Sequence, residues 1–223
     1  LRAHRMISEH VRLKPHVKAA LEDFWARYLA ARRPILGLHV RGTDKDAAIG
    51  GAIVQPSSYV PHIRRYLEKH PNATLFVATD SPRFLEWFRV KYGERVVARS
   101  AIRSEANAFR DASLTDRYTK GLDVLLDALL LSRSDMLIKS SSAVGEFAIY
   151  YNPSLHSRCI DLQFQAAQPD RQVQAGRLES NRAHTKMSGV RTSSQWTARL
   201  ASCVPNADAM LYDVQMLPDV KGP

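Results

Sequence analysis

The chain has 223 residues, of which 45% are hydrophobic, 24% charged and 8% aromatic, the makeup of one ordinary globular domain of good size or of two small ones. Ten Gly and eleven Pro exclude collagenous and low-complexity architectures. The net charge of +10 raises nucleic acid, anionic membrane or phosphorylated ligands as partners; half of the excess lies in residues 1–33, where it is interleaved with an apolar helical pattern and reads as a solvated helix face rather than a polynucleotide track.

The chain opens LRAHRMISEH, with neither an initiator Met nor an apolar h-region, so a signal peptide or anchor is expected to have been cut away or never present. Pro15 heads a helix over 15–31, with Val17, Leu21, Phe24, Trp25, Tyr28 and Leu29 at mostly three- and four-residue spacings. Residues 35–41 (ILGLHVR) read as a short buried central strand that stops at Gly42. The loop that follows, GTDKDAAIGGAIVQPSS, is long enough to be functional or disordered. Ser57 and Ser58 are expected to cap a helix over 59–69, which Pro71-Asn72 ends before a strand over 74–79 (TLFVAT). Asp80-Ser81-Pro82 opens a helix over 83–92, closed by Gly93, and a strand over 95–98 follows. A less regular connection over 100–120 precedes a helix over 121–133, a strand over 135–139, a helix over 142–151 stopped by Asn152-Pro153, and a last strand over 158–163.

Repeated strand-helix units of this length predict an α/β fold, a Rossmann-like, mostly parallel sheet with helices on both faces. Residues 1–165 form that domain. Residues 166–223 are polar and without period, a largely flexible tail in which only 196–200 and 209–216 look adhesive. The longest nearly uncharged apolar stretch, 124–131, is broken by Asp127 and falls far short of the roughly 20 residues of a membrane span, so a soluble chain without membrane contact is expected. Cys159 and Cys203 could bridge or stay free, and they lack zinc-site spacing. The sequon Asn72-Ala73-Thr74 is the one signal for passage through a secretory lumen.

Ligands of open parallel sheets bind outside the carboxyl ends of the strands, which directs attention to three places. At the first, His39 and Arg41 share a face by alternation, and Arg41 meets the Gly42-Thr43-Asp44-Lys45 loop. An arginine there suits a diphosphate, because its planar fork donates two parallel hydrogen bonds; an Arg41–Asp44 ion pair is the structural alternative. At the second, Ser140, Ser141 and Ser142 stand between a strand and a helix, where free N–H groups attract an anion; one serine is explained by capping. At the third, Asp80 follows TLFVAT, with an N-cap role as the favoured alternative. Asp127 differs in kind: a carboxylate among leucines must be paired, hydrogen-bonded or protonated, and either a guanine with two adjacent N–H donors or a buried arginine would answer that. No glycine-rich dinucleotide pattern or Walker A pattern occurs, which argues against a dinucleotide enzyme and a P-loop NTPase. Asp44-Lys45-Asp46 could in principle hold a metal, but the lysine and Arg41 oppose it, so no metal is expected.

These residues carry a resemblance. LGLHVRGTDK (36–45), LFVATDSP (75–82) and VLLDALLLSRSDMLIKSSSAVGEFAIYY (124–151) are similar to the carboxyl-terminal, donor-binding half of inverting fucosyltransferases, the group of α1,6-fucosyltransferases and bacterial nodulation fucosyltransferases related to protein O-fucosyltransferases. The similarity covers about residues 1–163. It implies one half of a GT-B fold, GDP-fucose as donor substrate, a glycan or glycoprotein acceptor, and no cofactor or divalent metal. By position, Arg41 resembles the arginine that holds the donor diphosphate and supports its departure, with His39 and Asp44 as motif companions and Lys45 beside them. Asp127 resembles the carboxylate that reads guanine, Ser141 and Ser142 the pair on the phosphates, and Asp80 a motif acid. The chain also departs from the pattern. The α1,6 enzymes carry a glutamate shortly after the motif lysine, proposed as general base, whereas residues 46–55 contain no Glu and Asp46 is the only carboxylate there. Asp46 therefore stands as a candidate catalytic residue beside Arg41. Ala143 replaces the polar residue that follows the serine pair in the α1,6 branch. The competing readings are another nucleotide-sugar donor on the same fold, an incomplete or non-catalytic GDP-sugar-binding module lacking its acceptor domain, and nucleic-acid binding on charge alone.

Overall fold

The computed structural model describes residues 2–42, 53–104, 115–163 and 214–216. In chain order the helices are α1 (Arg2–His10), α2 (Pro15–Tyr28), α3 (Val60–Lys69), α4 (Pro82–Tyr92), α5 (Arg117–Ser132) and α6 (Ala143–Tyr151). The strands are β1 (Val11–Leu13), β2 (Ile35–Val40), β3 (Thr74–Thr79), β4 (Val96–Val97), β5 (Met136–Lys139), β6 (Cys159–Asp161) and β7 (Val214–Met216). Strands β2 to β6 make one five-stranded sheet in the order β4-β3-β2-β5-β6, every pair parallel. The predicted α/β fold with a parallel sheet is what forms.

Alternation along β2 and β3 divides the core. Ile35, Phe76, Ala78 and Leu137 face a layer that includes Val17 and Leu21 of α2, Leu126, Leu129 and Leu130 of α5, and Ala148 of α6. Leu36, Leu38, Val40, Leu75 and Val77 face Ile63 and Tyr66 of α3 and Phe84, Leu85 and Phe88 of α4. Every residue of β2 and β3 is buried, as strands covered on both faces require. The crossovers after β2 and β3 therefore lie on one face and the crossover after β5 on the other.

Register is set at the amino ends of the strands. The Asp135 carboxylate accepts the Ile35 N–H (2.7 Å), and the Asp135 N–H donates back to the Ile35 carbonyl (2.8 Å). That brace delivers His39 opposite Lys139 at the carboxyl ends.

Several boundaries differ from the sequence reading. Ser57 and Ser58 do not cap α3; they lie in a 3-10 turn, Pro56–Tyr59, that leads into it without a side-chain cap. Asp80 is not the cap of α4 either: the Ser81 hydroxyl accepts the Phe84 N–H (3.2 Å). Helix α5 starts four residues earlier than predicted because the Asp116 carboxylate caps it at Thr119. Of the expected tail, only Val214–Met216 is among the described residues, and it pairs antiparallel with β1. Cys203 lies outside the described residues, and Cys159 is a free cysteine.

Candidate functional site

The order β4-β3-β2-β5-β6 reverses direction between β2 and β5, and the helices that follow those two strands leave to opposite faces. Open parallel sheets offer a crevice at such a switch point, above the carboxyl ends of the strands. Arg41-Gly42 at the exit of β2 and Ser140-Ser141-Ser142 at the exit of β5 flank that point.

Ser140 joins them. It is fully buried, its Oγ lies 3.4 Å from the donating Arg41 N–H, and its own N–H donates to the His39 carbonyl (3.2 Å). The buried Tyr59 hydroxyl also donates to that carbonyl, at 2.8 Å. Of the three serines read as a candidate phosphate cradle, Ser140 clasps the two strand exits. Ser142 caps α6 by accepting the Val144 N–H (3.2 Å). Ser141 is the exposed one, its hydroxyl donating to Asp161 (2.9 Å) and its N–H to the Gln163 side chain (2.9 Å). One serine locks, one caps and one faces solvent.

The half-buried Arg41 thus follows the strand beside the one that leads into α6. Lys139, although adjacent, is 2% exposed, and its ammonium is held between Glu146 (2.6 Å) and Asp161. Burial opposes that charge, and the two carboxylates outweigh it, so the Lys139 pKa rises above its ordinary value. Gly145 leaves room for the lysine stem; a Cβ there would come within 2.6 Å of it.

Asp80 has a positioning role. Its carboxylate accepts the Gly42 N–H at 2.7 Å, and a Cβ on Gly42 would approach Ser81 Cβ to 2.8 Å and the Phe84 ring to 3.0 Å. The chain leaving Arg41 is therefore pressed against the start of α4, where only a glycine fits. His39 is buried (6% exposed) on the same sheet face as Asp127's helix. Asp44, Lys45 and Asp46 lie outside the described residues.

Asp127 is 8% exposed in α5. Arg99, in the loop after β4, is its cation at 3.6 Å, and burial pushes its carboxyl up to about 6 against the pull of Arg99 and Arg103. Arg99 hydrogen-bonds Asp123 at 3.0 Å. Arg103 caps strand β3 by donating to the Thr79 carbonyl (3.1 Å) and lines an open groove of about 570 Å³ with Pro82, Arg83, Glu86 and Arg89. Sequence reasoning missed Arg99, Arg103, Asp123 and Tyr59. Asp123 had a signal, since it precedes Asp127 by one helical turn and shares its face; Arg99 and Tyr59 reach the site only through tertiary contacts.

Among the described residues no group of three or more His, Cys, Asp or Glu is placed to hold a metal ion, and no helix is long and apolar enough to cross a membrane. Burial raises the Cys159 thiol to about 11, too high for a ready nucleophile.

Comparison with known proteins gives a consistent picture. The family described as alpha-(1,6)-fucosyltransferase N- and catalytic domains matches residues 3–149. An alpha-(1,6)-fucosyltransferase of Drosophila melanogaster is 32% identical over 124 residues, 52% of this chain and 19% of that protein. The crystal structure of fucosyltransferase NodZ from Bradyrhizobium is similar with a TM-score of 0.47 and 20% identity, over 66% of this chain and 44% of that one. An Arabidopsis thaliana FUT1 structure in complex with GDP gives a TM-score of 0.40 and 16% identity, over 62% and 31%. The chain spans about a fifth of the length of the Drosophila relative and under half of each of these two structures.

Proposed function

The chain belongs to the alpha-(1,6)-fucosyltransferase family, and from that membership and the geometry of the crevice we propose that it is the donor-binding part of an inverting, metal-independent fucosyltransferase. The donor is GDP-fucose and the acceptor a glycan or glycoprotein. One observation supports the reading: the Arg41 N–H and the buried Ser140 hydroxyl meet, so the strand exit that bears the Arg41 guanidinium lies beside the exit that leads into α6.

The chemistry follows from charge. Breaking the bond between fucose and GDP builds positive charge on the sugar ring and an additional negative charge on the diphosphate. Fixed cations and N–H donors at the diphosphate stabilise that transition state more than the ground state. Arg41 offers a planar, permanently charged fork, and the first turn of α6 offers backbone N–H donors at the positive end of a helix dipole. Asp80, through Gly42, holds the loop that follows Arg41. Asp127 accepts from the guanine, and Asp46 is the candidate general base for the acceptor hydroxyl. This half supplies the donor site, and the acceptor is met by the facing half of a GT-B arrangement. The alternative reading is a GDP-sugar-binding module without turnover.

Thermal shift against GDP, UDP and ADP tests the donor assignment, followed by incubation with GDP-fucose and oligosaccharide acceptors. GDP should stabilise the chain above the other two nucleotides. Equal stabilisation by all three would sink the donor assignment, and GDP binding without release of GDP from GDP-fucose would select the binding module.

A further inference from the structure

Asp127 poses an electrostatic puzzle. Its Oδ1 is buried inside α5, and no described residue donates a hydrogen bond to it. Arg99 Nη1 stands 3.6 Å away, at ion-pair rather than hydrogen-bond distance, because the guanidinium is committed elsewhere. Its Nη1 donates to the Asp123 main-chain oxygen (3.1 Å) and its Nη2 to the Asp123 carboxylate (3.0 Å). The second oxygen of that carboxylate accepts the Ile102 N–H (2.8 Å). The fork is therefore clamped by Asp123 at a fixed offset from Asp127. Arg103, the other cation of the loop, donates to the carbonyls of Thr79, Ala101 and Arg99 and acts on Asp127 only through its charge.

We propose that Arg99 is a positioning residue that keeps the buried Asp127 carboxylate ionised while leaving its oxygen uncommitted, so that the base of a nucleoside diphosphate can donate to it. This rests on the reading of Asp127 as the guanine acceptor and adds what sets its charge. A carboxylate is an acceptor on both oxygens, whereas a carboxylic acid spends one as a donor. Guanine presents two adjacent donors, so protonation of Asp127 removes half of the match. Burial already raises this carboxyl to about 6 in spite of the two arginines; without Arg99 the neutral acid would prevail at pH 7. The charged groups around it are Arg99 and Arg103 from the loop and Asp123 from its own helix. On the elements packed against α5, β3 carries no titratable residue, β2 carries His39, α2 carries His16, which meets Tyr118 (2.8 Å), and Glu22, paired with Arg133, and α6 carries Glu146, paired with Lys139.

The test is calorimetric titration with GDP and with ADP from pH 5 to 8.5, read as the ratio of the two affinities, which cancels the titration of the shared diphosphate. In the wild-type chain the GDP preference should fall as the pH drops through about 6. Arg99→Gln should move that midpoint up by about two units, so that GDP affinity at pH 7 drops about tenfold and recovers toward pH 8.5, with ADP affinity within about twofold of wild type. Asp123→Asn, which removes the competing anion, should move the midpoint down. A merely structural role would weaken both nucleotides alike and leave the midpoint in place. An unmoved midpoint in Arg99→Gln overturns the proposal; should that variant not fold, a midpoint that fails to drop in Asp123→Asn overturns it. Asp127→Asn separates the two levels. A GDP preference that survives this change refutes Asp127 as the acceptor, whereas its loss, together with an unmoved Arg99→Gln midpoint, refutes Arg99 alone.

Discussion

Arg41 and Asp127 show how differently two charged residues can be housed. Arg41 is half-buried at a strand end where its backbone N–H is held by the Ser140 hydroxyl, a contact that truncating the side chain leaves in place. Arg41→Ala is therefore expected to leave the circular dichroism spectrum and melting temperature near wild type while lowering fucose transfer by about 100- to 1000-fold, the usual loss when one preorganised donor to a developing anion is removed. Wild-type transfer by the variant would remove Arg41 from the mechanism. Asp127 is the reverse case, a group the fold tolerates at a cost. Burial raises its carboxyl to about 6 in the fold, above the ordinary aspartate value of about 3.9, so the native state holds the proton more tightly than the unfolded chain. Its stabilising contribution is then complete below about pH 4, is lost as the pH rises through about 6, and leaves a deficit of about 3 kcal/mol above that. Asp127→Asn should accordingly be more stable than wild type at pH 7.5, with the gap closing by pH 4. Urea unfolding at the two pH values measures it, and a gap that is equal at both would deny that this carboxyl is destabilised in the fold.

At the scale of elements, the site is made by strand exits and helix entries that are tied to one another. The exit of β2 is held by Ser140 on one side and by Asp80 on the other, while α4 and α6 each begin at their own serine cap. Asp80→Ala removes the acceptor of the Gly42 N–H. Loss of one partner of such a charge-assisted bond is expected to cost about 1–3 kcal/mol and to lower transfer through the displaced loop, and Asp80→Asn, which keeps an acceptor oxygen, should restore most of both. Differential scanning calorimetry together with a transfer assay decides this. Full activity in the alanine variant would leave Asp80 without a part in holding the loop.

The molecule as a whole carries a net charge of +10; in the proposed function the charge of the donor is met by arginine and backbone donors rather than by a metal. Transfer, or GDP binding where transfer is absent, should be unchanged by excess EDTA; a strict Mg²⁺ or Mn²⁺ requirement would contradict that arrangement. Much of this was legible from local pattern. The 74–79 strand was read to the residue, the 35–41 strand to within one, and the helix after Ser81 to within one, because burial period, prolines and caps act over a few residues. Arg41 and Asp80 stand out because they follow strands at the edge where ligands of parallel sheets bind, and Asp127 because it breaks an apolar run. What neighbours in sequence do not determine is which loops meet. Only the folded chain brings Arg99 to Asp127 across 28 positions and Ser140 to Arg41 across 99, and it alone assigns three consecutive serines to three different tasks. The physical reason is that secondary structure answers to short-range sterics and hydrophobic period, whereas the charge state of a buried acid and the walls of a crevice are set by contacts that exist only after strands distant in sequence have paired.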